Sequence, residues 1–276
     1  MVFMPHIMPH PALQPYVNNY LLLQVNLKGV PQNERIKPIP PDADQSLYFY
    51  PRDNVYAITN RTNDSRLSAP SIFVAQQTSR VNIQFGEDHL IIQVCFRPGF
   101  MHQLLGRVNV NEFQGKEIDA VCFSDEGMRI LNEQLHETAD HLAMIGLIDR
   151  YLLKRLAKMK PELLPIDKVI ACLKYTETQP SIDWLANQAC LSNRQFERKF
   201  KERMGMSPKF YTRIARFDRA FKLKLQRPDM EWTNVAYSCG YFDFSHLMRD
   251  FRQFAEVTPS MLLIENNLSP DRDIWR

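Results

Sequence analysis

Cysteine is scarce in this chain and unpaired. Cys95, Cys122, Cys172, Cys190 and Cys239 make five scattered thiols with no Cys-x-x-Cys spacing. That argues against a disulfide framework or a zinc module and for a reducing compartment. No apolar run reaches the roughly 18–20 residues that a bilayer span requires. The start, Met-Val-Phe-Met-Pro-His, lacks the basic stretch of a signal peptide, so the expected location is cytoplasmic, with no membrane partner. There is no G-x-S-x-G, no Walker loop and no G-x-G-x-x-G. His6 and His10 lie in a Pro-rich stretch, and His136 and His141 are five apart, off one helix face. Neither pair brings the three or four convergent ligands that a zinc site needs. No metal and no cofactor are expected, and the chain does not read as an enzyme.

What the chain does have is a repeat, the first thing worth seeking in any sequence. Ser192-Asn-Arg-Gln-Phe196-Glu-Arg198-Lys-Phe200, closing at Met206-Ser-Pro208, returns as Asp243-Phe-Ser-His-Leu247-Met-Arg249-Asp-Phe251, closing at Val257-Thr-Pro259. A shift of 51 residues sets Ser192 on Asp243, Phe196 on Leu247, Arg198 on Arg249, Phe200 on Phe251 and Pro208 on Pro259. Charge is concentrated in the same region. Overall the net charge is only +3, yet residues 192–227 hold 12 basic against 3 acidic side chains. A basic stripe in an otherwise balanced chain is the footprint of a phosphate-backbone binder, although a solvated helix face would look the same.

Two domains are expected, 1–162 and 163–276, divided near Pro161–Pro165. The first reads as α+β, a small β-sandwich or barrel plus trailing helices. Its strand candidates are Tyr20–Val25, Ser46–Tyr50, Val55–Ile58, Ser71–Val74 and Leu90–Phe96, rich in β-branched and aromatic residues. Turn formers separate them: Pro38, Pro40 and Pro41, then Asn60 to Asp64, then Gly86-Glu-Asp. After Arg97-Pro-Gly99 the pattern turns helical, with Phe100–Leu105, a helix opened by Ser124-Asp-Glu, and a long helix over Asp140–Met159. Arg97 suits either a carboxylate in a pocket or a structural turn anchor. The apolar stripe Leu142, Ile145, Ile148, Leu152, Leu156 suits either self-association or packing on its own sheet.

The second domain reads as all-α, a tandem helix-turn-helix joined by a linker helix. Ser181 caps Ile182–Ala189, whose inward residues are Trp184, Leu185 and Ala189. Ser192 caps the second helix, and the first unit spans about 181–204. In the second unit, about 232–254, Trp232–Cys239 precedes the turn Gly240-Tyr241-Phe242, and Asp243 caps the next helix. Between them Pro208–Leu225 forms a helix of roughly 27 Å. That length can hold two recognition helices about one duplex turn apart, so that both enter successive major grooves.

Leu185-Ala186, Leu191-Ser192, Phe200 and Gly205-Met-Ser-Pro208, followed by Val235-Ala236, Gly240-Tyr241, Phe251 and Val257-Thr-Pro259, resemble the AraC/XylS family of bacterial transcription regulators. The similarity spans about 165–265. More loosely, the N-terminal half is similar to the sensor domain attached to some of these regulators. One departure is plain: Glu256 stands where the family has Gly, whereas Gly205 keeps the pattern. The resemblance implies base reading by Arg194, Glu197 and Arg198 in the first unit and by Phe244, Ser245, Met248 and Arg249 in the second. Arg198 and Arg249 can bond guanine O6 and N7, Glu197 can accept from cytosine N4, and Phe244 can meet a thymine methyl. Asn193, Gln195, Lys199 and Arg252 are placed for phosphates.

The expected function is a sequence-specific DNA-binding transcriptional regulator acting on double-stranded DNA. Its N-terminal domain would bind a small-molecule effector or pair as a homodimer, and an activator would also contact RNA polymerase. The alternative from another class is an alkyl-transfer DNA repair enzyme fused to an accessory DNA-binding domain, which needs a metal-bound cysteine cluster. A third is a DNA-binding protein with no effector. Asp250 opposite Lys199 and Glu256 opposite Gly205 lead to a further expectation, that the second unit grips backbone less strongly than the first.

Overall fold

The computed structural model describes residues 1–58, 64–113, 115–123, 126–176 and 180–270. The sequence places turn residues at Asn60–Asp64 and a helix start at Ser124-Asp125; except for Asp64, these lie outside the described residues.

The N-terminal part is built on β2 (Val17–Asn26) and β9 (Asp88–Phe96), which pair antiparallel with Leu22 opposite Ile92. Around them a six-stranded antiparallel sheet runs in the order β1 (Val2–Ile7), β2, β9, β4 (Gln45–Phe49), β7 (Ser71–Val74), β10 (Glu117–Asp119). A four-stranded sheet runs β3 (Ile36–Ile39), β8 (Val81–Gln84), β5 (Tyr56–Ile58), β6 (Ser65–Leu67). Alternation along each strand divides the larger sheet's side chains between two cores. Tyr20, Leu22, Leu47, Phe49, Phe73 and Ile92 pack with the helices. Leu23, Tyr50 and Ile72 belong to a separate cluster with Val55 and Phe85, beside which Ile83 of the smaller sheet packs. The result is a small sandwich with trailing helices, as the strand pattern indicated.

Pro38 departs from expectation: it lies in β3 rather than in a turn. The strand is at a sheet edge, where a residue without an N–H costs no ladder bond. Strands β1, β6, β8 and β10 were also absent from the reading.

The helical face is made by α1 (Phe100–Leu104), α2 (Glu126–Glu137) and α3 (His141–Met159). Asp140 caps α3, its Oδ1 accepting from Ala143 N–H at 2.6 Å. Met144, Ile145, Ile148 and Leu152 of α3 are buried in their own domain. Leu142 is 62% exposed, outside the inward stripe the sequence assigned it to. Packing on its own domain is therefore what the stripe does. Arg97 is a turn anchor, with its backbone N–H bonded to Tyr16 O at 2.8 Å and its Nε to Gln14 O at 2.7 Å.

The C-terminal helices are α4 (Pro165–Tyr175), α5 (Ile182–Gln188), α6 (Asn193–Met204), α7 (Pro208–Gln226), α8 (Trp232–Ser238), α9 (Phe244–Phe254) and α10 (Pro259–Leu268). A single core joins Ile166 and Ile170 of α4 to Phe196, Phe200, Phe217, Phe251 and Leu262. One N-terminal residue, Ala43, is buried in it. Both flanking helices went unread in the sequence. Pro165 sits in the first turn of α4, and Thr258 caps α10 by accepting from Met261 N–H at 3.3 Å.

Candidate DNA-binding site

Each half of the repeat folds into a short helix, a tight turn and a longer helix. In the first, Ser181 caps α5, with its Oγ accepting from Trp184 N–H at 3.2 Å. Leu185, Ala186 and Ala189 are buried, but Trp184 is 51% exposed, so it is not one of the inward residues. Its position puts it on the outer side of the short α5, beside the α4–α5 groove. Ser192 caps α6 through a reciprocal pair: its Oγ accepts from Gln195 N–H at 3.3 Å, and its own N–H donates to Gln195 Oε1 at 3.1 Å. In the second, Asp243 Oδ1 accepts from His246 N–H at 2.6 Å and starts α9.

Burial sorts the two long helices into faces. Phe196 and Phe200 on α6, and Leu247 and Phe251 on α9, have no solvent exposure. Arg194, Glu197 and Arg198 are exposed on α6; Phe244, Ser245 and Arg249 are exposed on α9, with Met248 half-buried beside them. The residues that the resemblance assigned to base reading thus lie outside each helix's buried stripe and close to its N-terminal end. Arg198 Nη1 is bonded to Glu202 Oε1 at 2.6 Å, a surface pair worth little that a phosphate or guanine can replace.

The residues assigned to phosphates divide differently. Arg252 is exposed and Lys199 half-buried. Gln195 is engaged in the capping pair, and Asn193 Nδ2 donates to Asp183 on α5. Those two amides hold the helix start in place as it stands.

Asp250 corrects the sequence reading. It was placed opposite Lys199 as a charge that weakens the backbone grip, yet it is fully buried. Its Oδ1 accepts from Arg213 Nη2 at 2.6 Å and Nε at 3.2 Å, and its Oδ2 accepts from Arg216 Nη2 at 3.1 Å, both arginines being on α7. Arg216 also lies over the Tyr241 ring at 4.2 Å and donates from Nη2 to His246 Nε2 at 3.2 Å. Burial, followed by the Arg216 charge, holds the His246 imidazole below its ordinary pKa. The linker helix therefore grips the second recognition helix through an ionic hub. A helical pattern held the signal, because 247, 250, 251 and 254 follow the i, i+3, i+4, i+7 spacing of a buried face.

Turn geometry bears on the one departure from the family pattern. Glu256, at the family's Gly position, takes φ +62°, and its counterpart Gly205 takes φ +74°. Both copies leave their long helix through the same left-handed turn, so the exchange to Glu has not reshaped the chain. The pattern repeats in the inner turns, where Cys190 has φ +55° and Gly240 φ +77°. Two of four left-handed positions are filled by side chains that pay strain there.

Residues 185–263 match the model of a helix-turn-helix domain. The C-terminal domain therefore contains a helix-turn-helix domain. An AraC-type DNA-binding-domain protein from Chromobacterium violaceum is 23% identical, over 38% of this chain and 93% of that one, with a TM-score of 0.34. A helix-turn-helix-type transcriptional regulator of Haemophilus influenzae, described as uncharacterized, is 30% identical over 93 residues. The match takes in 33% of this chain and 30% of that relative, so the chain spans less than a third of its length. Ahead of the helix-turn-helix domain, residues 5–119 match a domain of unknown function, DUF6597. ToxT from Vibrio cholerae has the same overall fold, at a TM-score of 0.50 and 12% identity over 90% of this chain and 98% of that one.

The helix-turn-helix domain is seated on the sandwich through α6 and α7. Gln45 Nε2 donates to Arg203 O at 2.9 Å, and Tyr211 Oη donates to Ala43 O at 3.3 Å. Arg203 Nε donates to Asp167 Oδ1 at 2.9 Å in a buried pair, while Asp167 Oδ2 accepts from Leu164 N–H at 3.0 Å at the start of α4. Elsewhere Lys174 pairs with Asp44 at 2.5 Å, and Arg80 pairs with Glu265 of α10. Between the sheets lies a cavity of about 200 Å³, closed by α7 through Phe221, Lys222 and Leu225.

Three of the four histidines considered as metal ligands have other partners. His10 Nδ1 accepts from Ala12 N–H at 3.2 Å, His136 Nδ1 lies 3.0 Å from Pro51 O, and His141 Nε2 lies 2.9 Å from Gln24 Oε1. Cys95 is buried in β9, and burial followed by the nearby Asp44 pushes its thiol up to about 12. Among the described residues no group of three or more His, Cys, Asp or Glu could hold a metal. The cysteine cluster of the alkyl-transfer alternative is not assembled there. No helix among the described residues is long and apolar enough to cross a membrane.

Proposed function

We propose that the chain regulates transcription by reading double-stranded DNA with α6 and α9, while its N-terminal domain senses a small molecule. The single observation that carries this reading is the doubled reading face: capped N-terminal turns on two helices, each with arginine outside a buried stripe, held apart by α7. At 19 residues α7 is about 28 Å long, enough to set two heads in successive major grooves. Arg194, Glu197, Arg198, Phe244, Ser245, Met248 and Arg249 read bases in this account, and Lys199 and Arg252 take phosphates. Asn193 and Gln195 keep a phosphate role only through rearrangement of the bonds they now make.

The domain limits are 1–162 for sensing and 163–276 for DNA. The cavity closed by α7 supports the sensing role, since a ligand there touches the helix that spaces the reading heads. RNA polymerase would be a partner if the protein activates, and pairing of two copies would be through the N-terminal domain. Arg249→Ala is expected to cost about 1–3 kcal/mol on the cognate site and to relax specificity at one base pair. Titrations against a panel of single-base operator variants would show it. Equal loss on every sequence would mean that Arg249 touches phosphate alone.

A further inference from the structure

The cavity between the sheets carries more information than its position. One wall is the larger sheet, with Leu21, Tyr48, Tyr50 and Ile72; Ile83 and Phe221 face the same space. At about 200 Å³ it is smaller than the 300–1,000 Å³ usual for ligand pockets, so its occupant is compact. The walls call for a hydrocarbon body, and the charges decide the rest.

Three carboxylates, Asp42, Glu117 and Asp218, line the cavity with two ammonium groups, Lys37 and Lys222. Lys222 is already answered, since its Nζ donates to Asp218 Oδ2 at 2.8 Å. Burial works against its charge, but Asp218, Asp42 and Asp44 outweigh burial and hold it above its ordinary pKa. Even the cation in the wall thus sits in a negative field. Lys174, the neighbouring cation, is held by Asp44. His89, also in the lining, stacks on Phe85 with ring centroids 4.0 Å apart. Counting Lys37 as well, three carboxylates face two ammonium groups, so one negative charge is left over when all are ionised. Burial, then the charges of Asp44 and Asp218, push the Asp42 carboxyl up to about 7. Burial likewise raises Glu117, against the opposing effects of the Ser68 hydroxyl and Arg66. A buried carboxylate short of a counter-charge is costly, and a ligand that brings one recovers that cost on binding.

We infer that this cavity takes a compact apolar amine, its ammonium group beside Asp42 and Asp218 and its hydrocarbon against Phe221 and the two sheets. The inference rests on the sensing role proposed above and names its ligand class. A carboxylate of the same size would meet three acids against two ammonium groups, one of which Asp218 already holds.

The test uses the full chain at pH 8 with three probes of one chain length: n-hexylamine, 1-hexanol and hexanoate. Thermal shift reads preferential binding to the folded state. Hexylamine is expected to raise Tm most, hexanol less, and hexanoate not at all. Asp42→Asn should weaken hexylamine by at least about tenfold, the scale of one hydrogen bond to a charged group, and leave hexanol unchanged. Hexanoate or hexanol matching the amine would overturn the ligand class while the sensing role stands. An Asp42→Asn protein that keeps the full preference for amine would overturn the placement of the head. No shift with any probe, in a sample that still binds DNA, would overturn the inference while leaving the sensing role to a ligand of another class.

Discussion

The two helix-turn-helix units share a frame but are held by different parts of the molecule. In the first, the C-terminal end of α6 is tied to the sandwich and to α4, through Gln45, Asp167 and the backbone of Val110, whose oxygen would lie 3.2 Å from a Cβ on Gly205. In the second, α9 is tied to α7 through Asp250, Arg213 and Arg216. The repeat therefore encodes the exposed helix face twice and the attachment differently each time. The first long helix bonds the N-terminal domain directly, whereas the second is held by the linker helix, which Tyr211 in turn bonds to Ala43.

The largest effect that separates them is expected from Asp250→Ala. It leaves two guanidinium groups, one of them buried, without their carboxylate and should cost about 3–5 kcal/mol in chemical denaturation. At temperatures where the variant is still folded, mutations in the second half-site should no longer matter, while those in the first still do. Retained discrimination at the second half-site would mean that the hub does not orient α9.

Arg203→Ala is the matching change in the first unit. It removes the partner of a buried Asp167 on α4, within the same domain, and should cost about 3 kcal/mol, with weakened discrimination at the first half-site as its signature. If it loosened the second half-site instead, the division of attachments would be wrong.

Next come the readers themselves. Arg198→Ala and Arg249→Ala should each cost about 1–3 kcal/mol at one base pair, in different half-sites. Lys199→Ala should weaken all sequences alike and lower the salt slope of binding; an unchanged slope would count against a phosphate contact.

The smallest effects test the turns. Gly205→Ala puts a Cβ at φ +74° and against the Val110 carbonyl, and should cost about 1–2 kcal/mol. Glu256→Gly relieves φ +62° at the equivalent place and should stabilise by about 1 kcal/mol. Thermal denaturation of the pair is expected to give opposite signs.

How much of this was legible in the sequence follows from what repeats. Caps, buried aromatics and exposed arginines recur at a fixed shift, so both reading faces and the linker helix could be placed from it. Asp250 was misread because charge was taken as a sign of exposure, whereas its spacing from Leu247 and Phe254 put it inward. Trp184 and Leu142 failed in the opposite sense, as large apolar residues that the packed face did not need. Helices α4 and α10 lie outside the repeat, although Pro165 and the Thr258-Pro259 pair marked their starts. Short strands such as β6 and β10 offer three residues each, too few for alternation to show. The seat of α6 on the sandwich is a property of tertiary contact alone, and no local pattern announces it.

The buried Ala43 bears on modularity. It is an N-terminal residue inside the C-terminal core, its carbonyl accepts from the Tyr211 hydroxyl, and Gln45 two residues on satisfies the Arg203 carbonyl. A chimera that swapped in a foreign sensing domain at Pro161–Pro165 would cut no helix, yet it would leave that socket empty and take away the bonds that residues 43 and 45 make to Tyr211 and Arg203. Portability of the DNA-reading part thus depends on transplanting the 43–45 segment along with it, a requirement that a boundary drawn along the chain does not reveal.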